Sequence, residues 1–140
     1  MSKVIGLDLG SRTLGIAMSD VSRWYAYGVE NFRFEEGNYK KAVEHVVALA
    51  RKEGITEICL GFPLNMNGTM SPRAESCLRF KEEILAAAPE MTVEMVDERW
   101  TTKIATNRLL EANLSRNKRK KVIDQQAAVV ILESYLSMKK

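Results

Sequence analysis

The stretch KVIGLDLGSRTLGIAMS, residues 3–19, decides the fold. Residues 3–9 form an apolar run typical of a strand, residues 10–13 are turn formers, and residues 14–19 form a second apolar run. This order predicts a β-hairpin. Residues 24–34 (WYAYGVENFRF) are rich in aromatic side chains and alternate loosely, which predicts a third strand. The chain is therefore expected to open with an antiparallel three-stranded meander.

The later segments alternate between helical and strand patterns. Helical periodicity is found in four segments, residues 39–52, 71–88, 100–113 and 122–138. Strand patterns are found at residues 57–60 and 92–96, and a polar, basic link is predicted over residues 114–121. The resulting order, β-β-β-α-β-α-β-α-α, predicts an α/β fold in which helices flank a mixed sheet.

Composition limits the classes of protein that fit. The chain has 140 residues, the usual size of one domain, and its 46% apolar and 28% charged residues are typical of a globular protein. No apolar run approaches the roughly 20 residues that cross a bilayer, so a cytoplasmic protein without membrane contact is expected. Cys59 and Cys77 form no CxxC motif, and His45 is the single histidine, which argues against a zinc site or a disulfide.

Asp8 is the first candidate for chemistry, because it interrupts an apolar strand with a charge that is costly to bury unpaired. Gly6 and Gly10 allow a ligand to approach the backbone closely, and residues 10–13 offer amides and hydroxyls suited to phosphate. The alternative is a structural one, in which Asp8 caps its own turn.

Two further acids follow the strand predicted at residues 92–96. Asp97 and Glu98 point to opposite sides if the strand continues, so only one of them can face a shared site. Glu98 has the longer reach and Asp97 is its competitor. Equally, both could be acids near a helix N-terminus that is capped by Thr101 or Thr102.

Asp124 lies near the start of the last predicted helix. The same face of that helix carries apolar side chains at Ala127, Ala128, Ile131 and Tyr135. A solvated acid would normally lie opposite such a stripe, although a first-turn acid favoured by the helix dipole is the plain alternative. Carboxylates gathered from separate elements would suit Mg²⁺ or Mn²⁺ and could support phosphodiester hydrolysis.

Basic side chains are candidates for binding nucleic acid. The net charge of +3 is mild, but five cations are concentrated just before Asp124: Arg116, Lys118, Arg119, Lys120 and Lys121. Arg12 and Arg99, next to the proposed acids, are further candidates. Trp24 or Trp100 could add a stacking surface, or either could serve only in packing.

The loop over residues 61–69 (GFPLNMNGT) has two interpretations. It could contact the backbone of a nucleic acid, since loops after strand ends often bind ligands. It could equally be a rigid connection that Pro63 restricts and Asn67-Gly68 turns. His45 is interpreted as a half-exposed helix residue without a functional role.

Four segments taken in order resemble one family: GLDLGSRTLGIAMSD (residues 6–20), GFPLNMNGT (61–69), DERWTT (97–102) and IDQQAAVVILESYL (123–136). They resemble the YqgF family, the RuvX-type proteins described as Holliday-junction resolvases and as pre-16S rRNA nucleases. Asn67 stands where this family often has Asp, and Trp100 where Leu is common. The similarity spans nearly the whole chain as a single domain, residues 1–140.

The resemblance implies a ribonuclease H-like fold with a five-stranded mixed sheet and hydrolysis in the 5′ leader of precursor 16S rRNA in the bacterial cytoplasm. It implies a catalytic, metal-binding set of Asp8, Asp124 and one acid of the DER segment, with Glu98 preferred and Asp97 possible. The expected assembly is a monomer or weak homodimer.

Three other functions are considered. Resolution of branched DNA would need a symmetric dimer. A ribosome-assembly module would use only the basic surface. An ATPase of the actin-like and sugar-kinase type also begins with a D-x-G phosphate loop, as at Asp8-Leu9-Gly10-Ser11, but such proteins close two related lobes over the nucleotide, and 140 residues supply one.

Overall fold

A mixed five-stranded sheet forms the centre of the molecule. The computed structural model describes residues 2–98 and 116–138, with the side chains of residues 2–98 and 127–138. The strands are β1 (Val4–Leu9), β2 (Thr13–Ser19), β3 (Ala26–Arg33), β4 (Glu57–Phe62) and β5 (Thr92–Asp97). Their order is β3-β2-β1-β4-β5, in which β3, β2 and β1 are antiparallel and β1, β4 and β5 are parallel. The predicted meander and mixed sheet are confirmed.

The third strand begins two residues later than predicted. Asp20 accepts hydrogen bonds from the backbone N–H groups of Trp24 and Tyr25, at 2.8 and 3.1 Å, and so holds both residues in a turn before β3. Trp24 is 77% exposed there. The aromatic composition of this segment was mistaken for strand because side chain to backbone bonding competes with sheet pairing.

The described helices are α1 (Tyr39–Glu53), α2 (Pro72–Ala87) and α3 (Arg116–Met138). Helix α1 stops at Gly54, whose left-handed φ of 68° no side chain adopts easily. Helix α2 starts at Ser71, which accepts a hydrogen bond from the Ala74 N–H, with proline in the first turn. None of the helices among the described residues has the length and apolar character needed to span a membrane.

The basic link predicted over residues 114–121 is wrong from Arg116 onward, because α3 already begins at that residue. Lysine and arginine are good helix formers, and the run contains neither glycine nor proline to interrupt it. A helix was also predicted over residues 100–113, which lie outside the described residues.

Each face of the sheet has its own apolar core. Helices α1 and α2 cover the face that carries Ile5, Leu7 and Leu9, whereas α3 covers the opposite face, which carries Val4 and Ala17. Helix α3 is also joined to the amino end of β4, where the Tyr135 hydroxyl donates a hydrogen bond to the Glu57 carboxylate. The Arg23 guanidinium pairs with that same carboxylate at 3.0 Å.

Helix α3 lies unusually close to the strands because glycines face it. A Cβ atom built at Gly6 would lie 2.7 Å from the Leu132 Cβ, and one built at Gly61 would lie 2.6 Å from the Ile131 Cδ1. A side chain at Gly6 would push the helix away, whereas one at Gly61 would displace the end of the Ile131 side chain and the Glu98 carboxyl group. The close approach places Ala127 of α3 beside the carboxyl end of β1, where it lines one cavity with Asp8 and Leu9.

Candidate active site

Parallel strands bring two acidic side chains to one edge of the sheet. Asp8 lies near the carboxyl end of β1, on the face that α3 covers, and its side chain is 21% exposed. Glu98 directly follows β5, and its backbone N–H donates to the Phe62 carbonyl oxygen at 3.1 Å. Because β4 lies between β1 and β5, the Glu98 side chain reaches Asp8 by passing over a residue of β4.

That residue is Gly61, paired with Val96 in the parallel ladder. A Cβ atom at Gly61 would lie 2.7 Å from the Glu98 Cδ, so a larger residue would displace the carboxyl group. The glycine thus makes the contact between Asp8 and Glu98 possible. Its functional importance was not apparent from the sequence, where it reads only as the start of a loop.

Electrostatics at this edge favour a protonated Glu98. Burial raises the pKa of Glu98 to about 8, and the charge of Asp8 and a hydrogen bond shared with it act in the same direction. Arg73 lowers the pKa, and Asp97 raises it slightly. Burial and the Asp8 charge outweigh the opposing effect of Arg73, which favours a hydrogen bond between a protonated Glu98 and the Asp8 carboxylate.

Among the described side chains, Arg73 is the cation that forms an ion pair with Asp8. Its Nη2 donates to the Leu9 carbonyl oxygen at 2.9 Å and lies 4.0 Å from the Asp8 Oδ1. The side chain is 61% exposed, so most of the guanidinium faces the open cavity. Sequence analysis missed Arg73, although its position directly after the Ser71-Pro72 helix start placed it in a first turn that follows a strand end.

A cavity of about 610 Å³ opens over these groups. Its wall combines acids, a cation, turn residues and uncharged polar side chains: Asp8, Leu9, Gly10, Ser11, Arg12, Thr13, Gly15, Asn31, Tyr39, Pro72, Arg73, Ser76, Glu98 and Ala127. The predicted phosphate-binding turn, residues 10–13, is thus part of one concave surface with both acids. Such a surface suits an anionic, hydrogen-bonding ligand.

The structure separates the two adjacent acids. Glu98 lines the cavity, whereas Asp97 ends β5 as an exposed residue and is absent from the described lining. Arg12 also lines the cavity, and its exposed guanidinium donates to the Glu36 carboxylate at 3.1 Å.

The remaining predicted residues fall into two groups. Asp124 is in the helical backbone of α3, three positions before Ala127, and the five cations Arg116, Lys118, Arg119, Lys120 and Lys121 precede it in the same helix. Their side chains lie outside the described part of the structure, as do Arg99, Trp100, Thr101 and Thr102 as whole residues.

Residues 63–69 of the predicted loop and two ring side chains lie away from the described cavity wall, whereas residues 61–62 belong to β4. Asn67 accepts hydrogen bonds from both the backbone N–H and the hydroxyl of Thr69, so its side chain is engaged in holding the turn. Trp24 lies beyond the amino end of β3, at the edge of the sheet opposite Asp8. His45 is half-exposed as predicted, pairs with Glu30 and stacks on Phe32 at 4.0 Å.

Sheet topology and flanking helices define the ribonuclease H-like class of α/β proteins. The structure is similar to that of T. thermophilus RuvC in complex with a Holliday junction substrate, with a TM-score of 0.61 and 12% identity, covering 100% of this chain and 98% of that one. It is also similar to the fowlpox virus Holliday junction resolvase, with a TM-score of 0.57 and 13% identity over 99% of both chains.

The particular family follows from sequence. The chain belongs to the RuvX family, described as Holliday junction resolvase, whose model matches residues 2–138. A Staphylococcus saprophyticus protein named "Putative pre-16S rRNA nuclease" is 44% identical over 134 residues, 96% of this chain and 94% of the relative. The resemblance found in the four sequence motifs is confirmed.

Proposed function

We propose that this chain is a metal-dependent nuclease that hydrolyses a phosphodiester bond in the 5′ leader of precursor 16S rRNA. The observation that carries the proposal is the contact between the Asp8 and Glu98 carboxyl groups in a cavity that also holds Arg73. The name of the staphylococcal relative supports this substrate, and rRNA processing would place the protein in the bacterial cytoplasm.

The chemistry of the two acids fits a divalent cation. Carboxylate oxygens are the ligands that Mg²⁺ and Mn²⁺ prefer, and a cation would replace the proton that the pair retains. Among the described side chains no group of three metal-binding residues is found, and we propose Asp124, one helical turn before Ala127, as the third ligand. Such an ion supplies positive charge that polarises the phosphodiester and activates water.

The chain's own residues bind and orient the phosphate. The hydrogen bond to the Leu9 carbonyl oxygen fixes one nitrogen of Arg73, while the rest of the guanidinium faces the cavity and can pair with a phosphate oxygen. Ser11 and Thr13 line the neighbouring wall, and we assign phosphate binding there to their hydroxyls and backbone N–H groups. We assign backbone binding of the nucleic acid outside the cavity to Arg12, Arg99 and the cations at 116, 118, 119, 120 and 121.

A cleavage assay with Asp8→Asn tests the proposal. Purified wild type with Mg²⁺ or Mn²⁺ should cut precursor 16S rRNA, and Asp8→Asn should reduce cleavage to background because it removes an acid from the described pair. Glu53→Gln, at the far end of α1, is the matched control and should retain wild-type cleavage. Equal residual activity of wild type and Asp8→Asn on every RNA tested would contradict the nuclease proposal and favour a non-catalytic binding module.

Two further arms of the assay address open alternatives. If Glu98 is the ligand, Glu98→Gln should lose far more activity than Asp97→Asn, because only Glu98 lines the described cavity. The structural similarity to resolvases makes branched DNA the second candidate substrate. A four-way DNA junction is therefore tested in parallel, and analytical ultracentrifugation with and without it would reveal the dimer that resolution requires.

A further inference from the structure

Three residues of neighbouring strands form one row across the cavity. Asp8 of β1 pairs with Gly15 of β2, and Gly15 pairs with Asn31 of β3. Side chains directly opposite one another in a ladder point to the same face of the sheet. All three residues line the same cavity, so the row leads from the proposed catalytic acid to an amide side chain.

Asn31 is not explained by the fold. It lies half-exposed in an edge strand, where asparagine is disfavoured, and the neighbouring residues on that strand carry the packing. Glu30 and Phe32 engage His45 on the opposite face. Within the part of the chain that the structure describes, no hydrogen bond to the Asn31 carboxamide is found, and Asn31 lines the cavity.

Gly15 leaves a gap between the two polar side chains. Adjacent strands are about 4.8 Å apart, so the Cα atoms of Asp8 and Asn31 are separated by roughly 10 Å, two strand spacings. The middle position of the row has no side chain, and Gly15 itself is buried, so a ligand would approach the row from the cavity, beside Asp8 and the half-exposed Asn31.

We propose that Asn31 marks a ribose subsite at the β3 side of the cavity, in which its carboxamide hydrogen-bonds the 2′-hydroxyl of a nucleotide next to the scissile phosphate. A carboxamide both donates and accepts, as a 2′-hydroxyl does, and this hydroxyl distinguishes RNA from DNA. The short side chain of Asn31 reaches only groups close to the sheet, which favours a sugar over the more distant edge of a base. The inference rests on the proposed nuclease function and specifies its substrate as an RNA strand.

Binding to modified RNA tests the subsite without any cleavage. Fluorescence anisotropy in EDTA measures the Kd of wild type and Asn31→Ala for an oligonucleotide of the 5′ leader, all-ribose or carrying one 2′-deoxy nucleotide, scanned along the strand. At one position the deoxy substitution should weaken wild-type binding about 3- to 10-fold, the usual range for one hydrogen bond. Asn31→Ala should weaken binding of all-ribose RNA by the same factor and should be insensitive to the deoxy nucleotide at that position.

Two results would overturn the subsite. One is that Asn31→Ala retains the full deoxy penalty of wild type. The other is that it weakens binding of ribose and deoxy strands equally at every position, which would mean that Asn31 contacts a base or phosphate. Val29→Ala, exposed on the same strand and outside the described cavity wall, is the control and should bind as wild type.

A companion cleavage assay separates this inference from the proposed function. If wild type fails to cut the RNA in Mg²⁺ or Mn²⁺ while the coupling between Asn31 and the 2′-hydroxyl holds, the nuclease proposal fails and the ribose subsite stands. If wild type cuts RNA but the coupling is absent, the subsite fails and the nuclease proposal stands.

Discussion

The carboxyl groups of Asp8 and Glu98 meet because Gly61 offers no side chain between them. Without a cation, ionising both groups in this partly buried place is unfavourable, and the raised pKa of Glu98 expresses that cost. Groups whose ionisation destabilises the folded chain cluster at functional sites, where a ligand compensates. The folded chain alone therefore favours a protonated Glu98, whereas the proposed metal binding needs its ionised form.

The residue-scale prediction follows from that conflict. In the folded chain Glu98 keeps its proton up to a pH of about 8, whereas in the unfolded chain it loses the proton near its ordinary pKa of 4.5. Between these values the folded state holds more protons, so the free energy of unfolding of wild type falls as pH rises. In EDTA, Glu98→Gln should therefore be more stable than wild type above pH 8, by several kcal/mol, with the difference vanishing toward pH 4.5.

Urea denaturation at a series of pH values measures this difference. Glu82→Gln, an exposed acid of α2, is the control and should follow the wild-type profile. A Glu98→Gln variant that is less stable than wild type at pH 9 would contradict the prediction. It would mean that the ionised carboxylate is satisfied by the protein alone.

At the scale of elements, the position of α3 depends on glycines in the strands beneath it. Gly6 of β1 and Gly61 of β4 both face the helix, and a Cβ atom at Gly6 would meet the backbone oxygen of Ala128 at 3.2 Å as well as Leu132. Backbone and Cβ atoms cannot move aside as a flexible side-chain end can. The helix that carries Asp124 is thus located by residues that have no side chain.

Gly6→Ala should consequently destabilise the protein by about 1–3 kcal/mol, the usual cost of overpacking a core. It should also reduce cleavage more than stability alone explains, since displacing α3 moves Ala127 from the cavity wall. Gly28→Ala, at an exposed position of the edge strand β3, is the matched substitution and should change stability by less than about 0.5 kcal/mol. Equal melting curves for Gly6→Ala and wild type would show that the helix is not held by this contact.

Element boundaries also show where local patterns mislead. The run of cations before Asp124 was interpreted as a link, yet it is helical from Arg116 onward. Charge patterning reports exposure to solvent and does not distinguish a loop from a solvated helix end. Trp24 and Tyr25 were assigned to a strand for their β propensity, but Asp20 holds both in a turn.

At the scale of the whole molecule, the cavity lies at the carboxyl edge of the parallel strands, and the basic N-terminal part of α3 precedes Asp124. A nucleic acid bound in the cavity would therefore be expected to extend along that helix. The net charge of +3 would contribute little by itself, whereas a concentrated run of cations releases counterions from the phosphate backbone.

Replacing Lys118, Lys120 and Lys121 together by Gln should weaken RNA binding and reduce the dependence of log Kd on log salt by roughly two units, about 0.7 for each single-strand phosphate that is no longer neutralised. Anisotropy titrations between low and moderate salt measure this slope. Replacing Lys40, Lys41 and Lys52 of α1 by Gln removes the same charge from another helix and should leave the slope unchanged. An equal reduction by both triple variants would indicate a non-specific effect of net charge.

Much of the fold could be predicted from the sequence, because apolar periodicity and turn residues are local signals. The same holds for Asp8, which stands out as a charge inside an apolar strand. Arg73 and Asn31 could not be found in this way. An arginine in the first turn of a helix and an asparagine in a strand carry no local signal of function. The start of α2 places Arg73 at the cavity, and the pairing of β2 with β3 places Asn31 there.

The sequence by itself determined the α/β class, the strand order in the opening meander, the family and the acids from which a site could be built. It left open which of Asp97 and Glu98 faces Asp8. Tertiary structure decided that choice: with β4 between β1 and β5, only a side chain that crosses Gly61 on the face covered by α3 can reach Asp8. The physical reason is that the alternation of side chains along a strand is a local property of the sequence, whereas contacts across the sheet depend on which strands become neighbours.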